Sequence, residues 1–455
     1  MLSAKRLLSV IVALSISLAM VMSVQASDQI PAPPQKQPIA LVGGTIHTVS
    51  GPSIENATIL FDKGKIVAIG KDVQLPPNTK TIDATGKHIY PSLIEANSSL
   101  GLIEVGAVAA TRDQSEHGQV NPSVRAEVAI NPDSELIPVA RSNGVGVVMT
   151  QPSGGLISGQ SAIIMLDGWT WEDMTMQSSA ALMVNWPRMT QGGGRRFFFA
   201  QQQPGRFEET LKRNLKAIAD IFKDARAYKA ARGASAQGGA HHKADARLEA
   251  MLPVVDGEVP VWIRANHIKQ IKSAVDWATN QNLNMVLIGG ADAHLAMDLL
   301  KRKNVSVVVT PILRLPSRRH EAFDTPFTLP KKLHDAGIKF AIAGGQTGNG
   351  NDRNVPYHAA KAASYGLPKD VALKAVTQYP AQIMGVDDQI GTLEVGKDAT
   401  LFISTGDPLE ITSNVEHLFL QGRHIDLGDK QKQLYEKYKK KYEQKKKPGK
   451  PSTDD

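Results

Sequence analysis

Two kinds of apolar spacing divide this chain. Near the start, residues 39–49 are β-rich. Residues 57–61 then match 65–70 across the turn Asp62-Lys63-Gly64, which predicts a hairpin. Further β segments stand far down the chain at 391–403 and 415–425. Two β regions that flank a long middle predict one small β domain, a sandwich built from both chain ends.

The middle alternates differently. Short apolar runs at 89–96, 145–150, 180–185, 259–265, 284–289, 305–310 and 338–343 predict strands. Helical periodicity appears at 266–281, 291–303 and 326–336, long enough for right-handed crossovers. Such alternation is the pattern of a (β/α)8 TIM-type barrel, so the fold class expected is α/β. Residues 161–166 also read as a strand, but too few residues separate them from the run at 145–150 for a helical crossover, so a hairpin insertion is expected. Residues 191–205 and 233–242 read as mobile loops on either side of a long helix at 208–232.

The expected boundaries are a signal peptide at 1–26, a Pro-rich linker at 27–38 and the first half of the small β domain at 39–88. The barrel follows at 89–388, the second half of the β domain at 389–428 and a basic tail at 429–455. Lys5 and Arg6 precede an uncharged apolar run over 7–24, and Val24-Gln25-Ala26 offers small residues at a cleavage site. Cleavage after Ala26 and export to a bacterial periplasm are expected. An uncleaved anchor is the competing reading, because the run approaches the length of a membrane span.

Composition narrows the chemistry. The chain has 455 residues, 42% hydrophobic and 21% charged, as in an ordinary globular protein. The absence of cysteine excludes disulfides, thiolate ligands and a Cys nucleophile. The net charge of +8 sits mostly at the ends, with ten lysines against five acidic residues in the tail. Nucleic-acid binding is therefore not expected. In the tail, Leu434, Tyr435, Tyr438 and Tyr442 recur at helical spacing among lysines. Docking on the barrel, contact with anionic lipid and a plain solvated helix are the readings open to it.

The segment His88-Ile-Tyr-Pro-Ser-Leu-Ile-Glu-Ala-Asn-Ser-Ser-Leu100 resembles the first barrel strand of the amidohydrolase superfamily. Gly391-Thr-Leu-Glu-Val-Gly-Lys-Asp-Ala399 resembles its C-terminal signature. The resemblance, to the imidazolonepropionase-like and dipeptidase-like branch, runs from about Ile39 to Ile425 and includes Asn354-Val-Pro-Tyr-His-Ala-Ala-Lys-Ala and Gly385-Val-Asp-Asp. It implies hydrolysis of a non-peptide C–N bond or an amide, with zinc or another divalent metal activating water.

At the positions where the resemblance places metal ligands, other residues stand. Asn97 and Ser99 replace a His-x-His pair on the first strand, and no Lys or Glu ends the fourth. Arg264 stands at the fifth-strand histidine, Gly289 near the sixth, and Gly344 or Gly345 at the eighth-strand aspartate. Arginine has no lone pair to donate and stays charged, so it repels a cation. No metal and no cofactor are expected. A displaced site is the alternative, with Glu95, His267, Asp292 and His294 gathered at the mouth; helix starts and solvated groups are the plainer reading of the last three.

A fixed cation at Arg264 suits a carboxylate or phosphate. Arg112, Arg125 and Arg141 read more simply as structural ion pairs. Candidate ligand-binding residues are thus Glu95, Asn97, Ser99, Arg264, His267, Asp292 and His294, with catalytic residues unassigned. Two functions follow: an exported hydrolase with a rearranged or metal-free site, or an inactive barrel that binds a small anionic ligand or a protein partner. A homo-oligomer is compatible with either.

Overall fold

A computed structural model describes residues 29–190, 205–236, 243–345 and 350–445. The expected signal peptide and the loop residues 191–204 and 237–242 lie outside them. Pro31 to Asp455 form one compact unit; only Gln29 and Ile30 are described of the separate unit before it.

The chain opens with β1 (Ile39–Ile46), β2 (Ile54–Asp62), β3 (Lys65–Gly70), β4 (Lys80–Asp83) and β5 (His88–Pro91). The β2–β3 turn places Lys63 at φ 48° and Gly64 at φ 78°. Two consecutive positive φ values match the twist of a two-residue hairpin, and glycine takes one without strain.

The expected strand at 89–96 is two strands. Ser92 donates its N–H to Thr400 O at 3.0 Å, in the small sheet, and Leu93 donates to Gly144 O at 2.9 Å, in the barrel. Apolar residues on both sides of Ser92 make the run continuous in sequence, while the backbone changes sheet there.

From this point the chain builds the barrel: β6 (Leu93–Ser98), α1 (Leu136–Arg141), β7 (Val145–Thr150), β8 (Ile157–Met165), α2 (Trp171–Met174), β9 (Thr175–Asn185), α3 (Arg206–Ala236) and α4 (Ala246–Val255). It continues through β10 (Val261–Ala265), α5 (Ile268–Asn280), β11 (Met285–Gly289), α6 (Met297–Arg302), β12 (Ser306–Val309), α7 (Thr325–Asp335) and β13 (Phe340–Ile342). The long helix reaches Ala236, past the loop start expected at 233, and the helix expected at 291–303 is a 3-10 turn, Ala293–Leu295, followed by α6.

The eight strands β6 to β13 form one sheet in sequence order. Seven run parallel, but β8 is antiparallel to both β7 and β9. The run at 161–166 is therefore a hairpin strand, as expected, yet it serves as a full member of the barrel sheet, and the uniform (β/α)8 order is broken there. A short connection permits only an antiparallel return. All nine residues of β8 are buried, so it fills a core position; a fully buried aliphatic side chain contributes about 1.5–3 kcal/mol.

The sheet's two ends meet across a short backbone splice. Ile94 of β6 donates to Val376 O, and Ile342 of β13 donates to Ala375 O, both at 2.9 Å. The chain then continues through α8 (Val355–Ser364), α9 (Lys369–Lys374), α10 (Gln378–Met384), β14 (Leu401–Ser404), β15 (Val415–Leu420), β16 (Arg423–Ile425) and α11 (Lys430–Lys445).

The N- and C-terminal strands share one sheet in the order β16-β15-β14-β5-β1-β2-β3, with β4 beside β1. One apolar cluster joins Leu41, Ile59 and Phe61 to Leu401, Ile403 and Phe419. Asp167, buried beyond β8, holds this sheet to the barrel: Arg141 reaches it at 2.9 Å and Arg423 at 2.7 Å. Arg141 is thus a structural ion-pair residue. Arg125 pairs with Glu127 at 2.6 Å.

Candidate functional site

The C-terminal tips of parallel barrel strands point their last side chains into the mouth. Arg264, one residue from the end of β10, is partly exposed there. Its Nη2 donates to Asn97 Oδ1 at 3.1 Å and to Gln151 Oε1 at 3.2 Å. Asn97 is near the end of β6, and Gln151 follows β7 directly.

Both amides are oriented from behind. Asn97 Nδ2 donates to Thr310 Oγ1 at 3.2 Å, and Gln151 Nε2 donates to Ala96 O at 2.9 Å. Their carbonyl oxygens therefore face the guanidinium. Burial pulls the pKa of Arg264 down to about 10, so it remains a cation at neutral pH. Among the contacts described, a guanidinium on one strand is thus oriented by two amide carbonyls at the tips of two others.

A second layer lies below it. Glu95 is fully buried; it accepts the N–H of Asn97 at 2.8 Å and of Gly344 at 2.6 Å. Asp352, also buried, accepts from Ser98 Oγ at 2.6 Å. Burial first, and then the nearby Asp352 charge, push the Glu95 carboxyl well above the ordinary range; burial raises Asp352 as well. His358 accepts backbone N–H groups of Ile312 and Leu313 through Nδ1, at 3.3 and 3.4 Å. Burial lowers it to about 4, so it is neutral, with its proton on Nε2.

The remaining candidates form a different group. Asp292 accepts the N–H of Ile268 at 2.9 Å, at the start of α5, and both its oxygens bind Arg318, at 2.9 and 2.5 Å. Burial opposes its charge, and Arg318 more than offsets this, leaving its pKa below the ordinary value. His267 stands 3.7 Å from Asp292. His294 sits in the 3-10 turn, and Ser99 is buried just past β6. For the alternative of a displaced site at Glu95, His267, Asp292 and His294, the structure commits Glu95 to two backbone donors and Asp292 to an arginine and a helix start. Among the described residues, no group of three or more His, Cys, Asp or Glu is placed to hold a metal ion.

The positions that would supply a divalent metal do not fit one. A Cβ on Gly289 would lie 2.4 Å from Asn266 Oδ1, and its φ is 93°, where an L side chain is strained. A Cβ on Gly344 would stand 3.0 Å from Glu95 Oε2. A side chain at either position would thus press on the end of Asn266 or Glu95, and the guanidinium of Arg264 stands at a third position.

Sequence reasoning missed Gln151, Thr310, Asp352 and Arg318. For the first two a signal existed, since each is a polar residue at the tip of a buried strand. Asp352 and Arg318 come from loops, and nothing in their spacing marks them.

Residues 267–425 match the amidohydrolase family model. The chain is 21% identical to an amidohydrolase, tasK, of Hapsidospora irregularis, over 80% of this chain and 39% of that one. It is 31% identical to the N-acetylglucosamine-6-phosphate deacetylase of Caenorhabditis elegans, over 21% of this chain and 22% of that one. It therefore spans well under half the length of these curated relatives. Among solved structures, an amidohydrolase from Thermotoga maritima MSB8 superposes with a TM-score of 0.75 at 25% identity, covering 85% of this chain and 99% of that one. The matches bear out the resemblance to the amidohydrolase superfamily, in sequence over residues 267–425 and in fold over most of the chain.

Proposed function

We propose that this chain is an exported barrel of amidohydrolase descent whose mouth recognises a small carboxylate or phosphate ligand without a divalent metal. The observation that carries this reading is Arg264, whose guanidinium is oriented by the carbonyl oxygens of Asn97 and Gln151. Those two partners are neutral amides that fix the direction of the guanidinium, and an anion complements it through charge-assisted hydrogen bonds.

Lineage points to hydrolysis of a non-peptide C–N or amide bond. That reaction in this fold draws on metal-activated water, and the donor set here opposes a metal. Glu95, two residues before Asn97 on β6, is sealed from solvent and used by two backbone N–H groups, so binding is favoured over hydrolysis.

The test is a thermal-shift screen with acetate, succinate, inorganic phosphate and small phosphomonoesters, on wild type and Arg264→Met. A binding anion raises the melting temperature by mass action. The expected result is a shift in the wild type that disappears in Arg264→Met, whose unliganded melting temperature stays close to wild type. If no anion distinguishes the two, or if the purified protein retains about one divalent metal per chain through dialysis, the reading fails.

A further inference from the structure

The tail helix α11 is the largest feature that the barrel mouth leaves unexplained. It holds seven lysines and two glutamates, and none of its residues is buried. Leu434, Tyr435, Tyr438 and Tyr442 are 40%, 65%, 48% and 63% exposed, so the stripe does not dock on the barrel. The first turn is anchored: Asp429 accepts the N–H of Lys432 at 2.9 Å, Lys432 Nζ donates to Leu427 O at 2.7 Å, and Gln431 bonds Arg353.

Helical spacing puts these four side chains on one face. The same geometry sets Lys432 and Lys439 along one edge of that face and Lys430, Lys437 and Lys441 along the other. Lys445 falls on the face itself, Glu436 and Glu443 lie just beyond the first edge, and Lys440 stands opposite the face. The flanking is visible in the contacts, since Lys439 lies 6.0 Å from the Tyr435 ring centre and Lys441 lies 5.4 Å from that of Tyr438. Six of the seven lysines thus flank or share the aromatic face, while both glutamates lie behind one edge of it.

We propose that α11 docks the protein on an anionic lipid surface, with the tyrosine face down and the lysines against the headgroups. Tyrosine suits this depth because its ring is apolar and its hydroxyl stays wet. Lysine adds attraction to anionic lipid, which a neutral bilayer does not offer. A second copy of the helix is a poor occupant, because the two lysine-rich edges repel each other. Duplex nucleic acid is a poorer match as well: the helix has no arginine, the residue suited to bidentate phosphate contacts, and stacked tyrosines find no splayed bases in a duplex.

The experiment is flotation of the full-length protein with vesicles of phosphatidylcholine alone and of phosphatidylcholine with phosphatidylglycerol. Wild type is compared with Tyr435→Ser/Tyr438→Ser/Tyr442→Ser and with Lys437→Gln/Lys439→Gln/Lys441→Gln. These side chains are exposed, so circular dichroism should be unchanged. The expected result is binding to the anionic vesicles that weakens at least tenfold in each triple variant and fades with salt. Equal binding by wild type and both variants, equal binding to neutral vesicles, or tight capture of a short DNA duplex that the tyrosine variant retains would each overturn the proposal.

Discussion

Glu95 accepts the backbone N–H of Gly344 at 2.6 Å, so the first and last strands of the barrel sheet are tied by one buried carboxyl. A Cβ at position 344 would stand 3.0 Å from this carboxyl's Oε2 and would press on it. The barrel is thus closed by polar bonding at the level where a metal ligand would otherwise project.

Stability should fall as pH rises through the titration of Glu95 and Asp352. Both carboxyls hold their protons more tightly in the folded state, by burial and, for Glu95, by the second charge. Between the unfolded and folded pKa values the native state carries more protons, so the slope of stability against pH is negative there and levels off above the folded pKa. Each tenfold difference in proton affinity is worth about 1.4 kcal/mol. Asp352→Asn removes one of the two charges and keeps an acceptor for Ser98. Melting temperatures measured from about pH 5 to about pH 8 should show a flatter profile in this variant; an unchanged slope would remove the pair from the account.

Asn97→Asp should neutralise the mouth from within. The new carboxylate would stand where Asn97 Oδ1 now meets Arg264 at 3.1 Å, and the Thr310 hydroxyl can turn to donate to it. A close charge-assisted pair contributes roughly 1.5–3 kcal/mol when partly buried. The expected outcome is an equal or higher unliganded melting temperature together with loss of the anion-induced shift. Retention of that shift would separate anion binding from the Arg264 charge.

Deleting residues 391–455 should leave a chain that aggregates, because β5 loses its partner β14 and the Leu41–Phe61 side of the apolar cluster loses Leu401, Ile403 and Phe419. An open, apolar sheet edge invites intermolecular pairing. Deleting only residues 430–455 removes a helix with no buried residue, and solubility and melting temperature should hold. Size-exclusion chromatography distinguishes these outcomes, and a monomeric product from the longer deletion would contradict the sheet's dependence on both chain ends.

The sequence by itself determined the elements that local rules govern. The hairpin at Lys63-Gly64, the parallel strands with their following helices, and the pairing of distant β segments all follow from periodicity, turn chemistry and motif. It also determined which residue types stand at Asn97, Arg264, Gly289 and Gly344, and so which metal chemistry they oppose. Three-dimensional packing decided the rest. Ser92 splits an apolar run because its neighbours bond to two different sheets, which a run of burial cannot reveal. Whether β8 joins the barrel depends on its partners on both sides, a long-range choice. Most of all, tertiary structure sorted the candidates: Asn97 and Arg264 converge, with Gln151, because strand tips share one rim, while Asp292 turns to Arg318, because a buried carboxylate is stabilised by whichever cation and backbone donors the fold brings within reach.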